Sequence, residues 1–261
     1  MGDDKKSAAG STLQTVQRAV EVLRCFEGGE KSLSLGELTK ILGLNKVTVF
    51  RLANTLAVEG LLAYDKEKAR YRVSFGLVTL GRKLLDLDGL RDSAHQAMED
   101  ARSLTNETIC LSIQERGEQV VVYSLASQQP VRYVLEIGSR GSIFNGAAGQ
   151  CLLVSKTQAE LEKMLEGTGF SNTTDHSITN MDALLDKIKY INTHGYGISH
   201  GERIAEAAAA AAPIYAPDRS VVGVVSIVMP ENRANQKLLD ECGEIATKTA
   251  KKISEEFGRS R

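Results

Sequence analysis

The sequence predicts an α+β chain. A small helical domain closed by a β-hairpin is followed by a linking helix, then by a larger domain of helices grouped around an antiparallel-leaning sheet. Three observations carry this. Apolar residues recur at helical spacing through Leu62, and the period switches from about 3.6 to 2 near Thr108. A strongly β-branched run, Val221–Val228, then precedes a long helical pattern at the C-terminal end.

At 261 residues, with 25% charged and 42% hydrophobic side chains, the chain has the composition of a folded, water-soluble protein. It contains no run of 18 apolar residues, and MGDDKKSAAGS lacks the apolar core of a signal peptide, so a cytoplasmic location without membrane contact is expected. Residues 1–11 read as a disordered tail. Cys25, Cys110, Cys151 and Cys242 are scattered among apolar neighbours without metal-ligand spacing. Buried reduced thiols are therefore expected, with no disulfide, metal or cofactor.

The N-terminal domain is expected over residues 12–75. Leu13 to Phe26 forms an amphipathic helix whose buried stripe is Leu13, Val16, Val20, Leu23 and Phe26. Ser34 and Glu37 have the spacing of a capping box, and Leu35, Leu38, Ile41 and Leu42 make the stripe of the helix they start. Gly43 suits the left-handed end of that helix, and Asn45 suits the cap of the next. On that third helix Val49, Leu52, Ala53 and Leu56 share one side. Val47, Phe50, Arg51 and Asn54 point the opposite way, flanked by Lys46, Thr48 and Thr55. Cations, hydroxyls, an amide and a methyl-bearing valine suit a DNA major groove, where Arg reads guanine and a methyl group meets thymine.

Two short alternating runs, Leu62-Ala63-Tyr64 and Tyr71-Arg72-Val73, then frame the loop DKEKAR. A hairpin carrying Lys66, Lys68 and Arg70 directly after such a helix is the arrangement of a winged helix-turn-helix, whose wing reaches phosphates or the minor groove. Charge follows the same division. Residues 12–75 hold ten Lys/Arg against seven Asp/Glu, whereas residues 76–261 hold twenty against twenty-four.

Residues 76–91 form a linker helix in which Leu77, Leu80, Leu84 and Leu87 repeat at three- and four-residue steps, a face suited to dimerisation. The second domain, residues 92–261, opens with a helix ending near Thr105. A hairpin of Thr108–Ile113 and Gln119–Leu125 follows, then a third strand at Val131–Ile137. Gly146-Ala147-Ala148-Gly149 opens a helix that includes Cys151–Val154. Helical patterns cover about residues 158–165 and 181–193. Strands follow near Ile198, at Ala208–Tyr215 and at Val221–Val228, and a final helix runs from about Asn235 to Phe257. The alanine run 207–212 favours a helix by propensity, but Pro213 and the flanking strands argue against one.

Chemistry in this domain points to binding. No nucleophile elbow, P-loop or HExxH helix occurs. The turn Gly146–Gly149, with exposed backbone N–H groups and small side chains, suits a carboxylate or phosphate. Ser199 and Ser226 could add hydrogen bonds, and Ala209 leaves room for a ligand body. Two alternatives stand beside this reading: an enzyme acting on small organic acids through Cys151 or a histidine, and a helix-turn-helix that docks protein instead of DNA.

The segments LQTVQRAVEVLRCF, LGLNKVTVFRLANTLAVEGLL, GSRGSIFNGAAGQCLLV, HGYGISHGERI and AAPIYAPDRSVVGVVSIVMP, in this order, resemble the IclR family of bacterial transcription regulators over nearly the whole chain. The resemblance implies a winged helix-turn-helix joined to a GAF-like effector-binding domain, and a homodimer or homotetramer. It also implies a double-stranded operator and a small organic-acid effector, which is aromatic or a sugar acid in some members. The DNA-reading helix maps onto Asn45–Glu59, with Lys46, Val47, Thr48 and Arg51 at contact positions. Effector positions fall on Ala147, Ala148, Ser199, Ala209, Ser226 and Val228. Ser199 replaces an acidic residue and Val228 a serine of the glyoxylate-responsive member, and Gln150 replaces a usual basic residue. Each change makes the pocket less polar, which argues against a two-carbon acid.

Overall fold

A computed structural model describes residues 12–27, 30–85 and 89–259; the expected tail, residues 1–11, lies outside the described residues. The chain divides into two units, Met1–Leu85 and Asp86–Arg261.

In the first unit, helix α1 (Gln14–Arg24) leads to a short strand β1 (Leu33–Ser34) and helices α2 (Leu35–Leu42) and α3 (Lys46–Val58). The capping box forms in full: the Ser34 hydroxyl accepts from the Glu37 N–H and the Glu37 carboxylate accepts from Ser34. Gly43 ends α2 in the left-handed region at φ 63°, and the Asn45 side chain accepts from Thr48 N–H at 2.8 Å. Strands β2 (Leu62–Asp65) and β3 (Arg70–Val73) make the wing, and β3 pairs on its other side with β1. The core joins Val22, Leu33, Leu38, Val49, Leu52, Ala53, Leu56, Leu62 and Tyr71.

One expectation is corrected here. Leu13, Val16 and Val20, expected to be buried, are 73%, 57% and 43% exposed, and Val22 is the buried residue of α1. The helix-turn-helix covers only the side of α1 carrying Ala19, Val22, Leu23 and Phe26, so the rest of the expected stripe faces outward. Phe75, directly before helix α4 (Gly76–Leu85), and Val78 and Leu80 within it are exposed apolar residues as well. The side chains of Leu84 and Leu87 lie outside the described residues.

The second unit is built on a six-stranded antiparallel sheet of order β6-β5-β4-β9-β8-β7. Helix α5 (Leu90–Thr105) precedes the hairpin β4 (Thr108–Glu115) and β5 (Glu118–Leu125). Strand β6 (Arg140–Ser142), α6 (Ala147–Cys151), α7 (Gln158–Thr168) and α8 (Met181–His194) follow. Strands β7 (Gly197–His200), β8 (Ala207–Tyr215) and β9 (Val221–Pro230) come next, and α9 (Gln236–Arg259) ends the unit.

The alanine run is indeed a strand, and its period of two divides it between two cores. Ala208, Ala210 and Ala212 join α5 and α9 on one face. Ala209 and Ala211 turn to α6 and α8 on the other. No helix among the described residues is long and apolar enough to cross a membrane.

The expected third strand at Val131–Ile137 does not form. The segment is irregular, and Val131, Val134 and Ile137 are more than half exposed. Alternation alone makes no strand without a ladder partner, and here side chains claim the carbonyls instead. Arg233 Nη1 donates to Val131 O at 2.8 Å, and Thr108 Oγ1 donates to Tyr133 O at 2.6 Å. The same Arg233 grips buried Glu107 with two bonds of 2.9 and 2.7 Å, a bidentate pair that pins the start of β4. Arg233→Ala should cost about 2 kcal/mol, since Glu107 would lose two charge-assisted bonds while buried. Chemical denaturation of the purified variant measures this, and a change within error would show that the pair is not stabilising.

Candidate nucleic-acid interface and effector cavity

Helix α3 presents the face its sequence pattern requires. Val49 and Ala53 are fully buried and Leu52 and Leu56 nearly so, which fixes the helix's rotation about its axis. Lys46, Val47, Arg51, Asn54 and Thr55 are exposed and Thr48 is half-buried. The first turn has no acidic residue, so the positive end of the helix dipole and Lys46 act together on an approaching phosphate. Thr55 bonds back to Arg51 O at 2.8 Å, which occupies its hydroxyl proton inside the helix.

The wing turn is organised by Asp65, whose Oδ1 accepts from Glu67 and Lys68 N–H at 3.0 and 3.1 Å. Lys66 and Lys68 are exposed at the tip. Arg70 is placed differently from them. Its guanidinium meets Glu37 at 2.8 Å and Ser32 at 3.0 and 2.8 Å, tying the base of the wing to the start of α2. Arg70 therefore braces the wing, and the tip charge is Lys66 and Lys68. Hydrogen bonds from Ser34 and then the Arg70 contact hold the Glu37 carboxyl below its ordinary pKa.

In the second unit all six residues placed at effector positions line one small, partly open cavity of about 40 Å³: Ala147, Ala148, Ser199, Ala209, Ser226 and Val228. Register explains the convergence. Ser199 faces Ala209 across β7–β8, and Ala209 faces Val228 across β8–β9. Helix α6 lies against these strands through Ala147, Ala148 and Cys151.

The anion-binding turn works otherwise than its sequence suggests. The Gly146 N–H donates to Glu202 Oε2 at 3.0 Å, so the protein's own carboxylate occupies that position. Buried Glu202 also accepts from Gln150 Nε2 at 2.6 Å and from Lys187 Nζ at 2.7 Å. Gln150 thus contributes an amide hydrogen bond to Glu202, and Lys187 supplies the balancing charge.

Sequence reasoning missed Gln119, Leu135, Glu202, Arg203 and Ile204, which also line the cavity. Leu135 was hidden in the expected strand. Arg203 lies in the HGYGISHGERI segment, between the strands expected near Ile198 and at Ala208–Tyr215; its signal was a second charged residue directly after Glu202. A larger, more open cleft of about 680 Å³ lies between β8 and α9, lined by surface groups such as Lys251, Arg219 and Glu255.

Cys151 does not present a reactive thiol. It is fully buried, its Sγ donates to Ala211 O at 3.3 Å, and burial pushes its pKa up to about 12. A nucleophilic thiol must ionise near neutral pH, and this one stays protonated. His194 stacks on Tyr190 and bonds its own helix through Tyr190 O.

Comparison with known proteins completes the assignment. A family model for the C-terminal domain of the bacterial transcriptional regulator IclR matches residues 83–255, and one for the IclR helix-turn-helix domain matches residues 15–66. The chain belongs to the IclR family of bacterial transcription regulators. Curated IclR-family relatives include the HTH-type transcriptional regulator KdgR of Escherichia coli K12, 28% identical over 95% of this chain and 94% of its own. The HTH-type transcriptional repressor AllR of the same strain is 25% identical over 94% and 90%. An IclR homolog from Microbacterium hydrocarbonoxydans, solved in complex with 4-hydroxybenzoate, superposes with TM-score 0.81 at 21% identity, covering 95% of this chain and all of its own. An IclR regulator from Alicyclobacillus acidocaldarius gives TM-score 0.82 at 24% identity over the same shares. The IclR architecture of a winged helix-turn-helix followed by a GAF-like α+β domain is therefore the fold of this chain.

Proposed function

We propose that this chain is a ligand-responsive regulator of catabolic genes that binds a pseudo-palindromic DNA operator as a homodimer and senses a small organic acid. The observation that carries the DNA-binding part is the free outward face of α3, with Lys46, Val47, Arg51 and Asn54 exposed beside the Lys66 and Lys68 wing tip. Each recognition helix would enter a major groove, with half-sites about one helical turn apart or more. The exposed apolar residues of α1 and α4 supply a face for self-association. Selection from a random duplex library should enrich one inverted repeat, with affinity falling steeply as salt rises. Failure to enrich any duplex, or salt-insensitive association with protein instead, would overturn this reading.

The effector part rests on the convergence of six small or hydroxylated side chains on one cavity. A ligand changes operator occupancy only through its differential affinity for the two states, and coupling of about 1–3 kcal/mol suffices. Ala148→Leu would place extra methyl groups in a cavity of about 40 Å³. The expected result is loss of acid-induced changes in operator binding, with operator affinity itself unchanged in a gel shift. A retained response would place the effector elsewhere.

A further inference from the structure

Arg203 is the cavity's unmatched charge. Its side chain is part-buried in the cavity wall, yet it makes no ion pair or hydrogen bond among the described residues. Burial pushes its pKa below the ordinary arginine value, the expected cost of desolvating a cation without a counter-ion. The neighbouring carboxylate cannot serve, because Glu202 is turned to Gly146, Gln150 and Lys187.

The guanidinium is positioned by a glycine. It packs so closely on Gly141 that a β-carbon there would sit 2.5 Å from Nε and 3.0 Å from Cζ. Gly141 faces Gln119 across the β5–β6 ladder. Gln119 is itself half-satisfied: its Nε2 donates to Ser112 Oγ at 3.0 Å, while its buried Oε1 has no partner. An unpaired cation and an unpaired acceptor thus line the same cavity, beside the Ser199 and Ser226 hydroxyls and the apolar Leu135, Ile204 and Val228.

We infer that the ligand of this cavity is a small monocarboxylic acid bearing a hydroxyl group, its carboxylate held by Arg203 and its hydroxyl proton received by Gln119 Oε1. This rests on the effector reading above and specifies it. A guanidinium offers a planar fork matched to a carboxylate, and the pairing is strong where water is excluded. One carboxylate is expected, not two. The carboxylate that lines the cavity is Glu202, and Lys187 is already engaged by it, so a second anionic group on the ligand would meet a like charge. A cavity of about 40 Å³ must widen to take such a ligand, and the irregular wall that carries Leu135 is the part that moves.

The test is calorimetry on the full chain with four probes: 4-hydroxybenzoate, benzoate, 4-hydroxybenzyl alcohol and gluconate. Wild type should bind at least one of the two hydroxy acids and prefer it to the probe that lacks the charge or the hydroxyl. Arg203→Gln should weaken the hydroxy acid roughly 10- to 100-fold and leave the alcohol unaffected. Gln119→Leu should erase the preference for 4-hydroxybenzoate over benzoate. Gly141→Ala keeps every polar group but displaces the guanidinium, so it should weaken acids alone and covers the case in which Arg203→Gln misfolds. Undiminished acid binding in both Arg203→Gln and Gly141→Ala would overturn the inference while leaving the effector cavity standing. Wild type that binds none of the probes would remove both the inference and its foundation.

Discussion

Arg51→Ala is expected to weaken specific operator binding by about 1–3 kcal/mol, roughly 5- to 150-fold, while binding to unrelated duplex changes far less. The asymmetry follows from where Arg51 stands. It is exposed on the side of α3 opposite Val49, Leu52, Ala53 and Leu56, so its loss removes no core contact. A guanidinium that pairs with the O6 and N7 of guanine carries sequence information, whereas Lys66 and Lys68 at the wing tip carry charge. Charge-neutral variants of those lysines should therefore weaken all sequences alike and flatten the salt dependence. Gel shifts with operator and scrambled duplex across a salt series separate the two behaviours. Equal losses on both duplexes for Arg51→Ala would mean that this side chain contacts only phosphate.

Gly149→Ala is expected to destabilise the second unit by about 3 kcal/mol or more and to lower its melting temperature by roughly 6–12 °C. Gly149 lies inside α6, and a β-carbon there would stand 2.4 Å from Ile143 O and 2.9 Å from Ile143 C. Those are backbone atoms on a buried turn, with no side chain able to swing away. The strain would fall on the segment 143–149 that presents Ala147 and Ala148 to the cavity. Ligand binding should fail together with stability, while DNA binding by the first unit is affected less. Differential scanning calorimetry checks this directly; a melting temperature within a degree of wild type would show that α6 can shift to make room.

The contrast between these sites shows which features were legible in the sequence. The helix-turn-helix was readable because each signal is local: Ser34 and Glu37 reach each other within one turn, and Asn45 reaches Thr48. The wheel of α3 needs only a period to separate its buried and outward sides. The cavity was readable through family resemblance and a small-residue turn, but its balance of charge was not. Glu202, Gln150 and Lys187 are far apart in the chain, and the bonds that bring Gln150 and Lys187 to Glu202 are a tertiary fact. The same holds for Arg203, whose importance lies in what it does not touch. Val131–Ile137 failed for a related reason: alternation records a preference, while the ladder that would realise it depends on a neighbour. The outward stripe of α1 likewise shows that amphipathic spacing identifies an apolar face without naming what covers it.

The alanines of β8 have one more consequence. Alanine has no side-chain torsion, so the stretch Ala207–Ala212 of β8, between the cavity core and the α5–α9 core, contains no rotamer that could absorb a push. A few tenths of an ångström gained at Ala209 must be taken up by the backbone itself, and Ala208 and Ala210 carry that movement straight through the sheet. Along this alanine stretch, crowding on one side of the sheet is felt on the other.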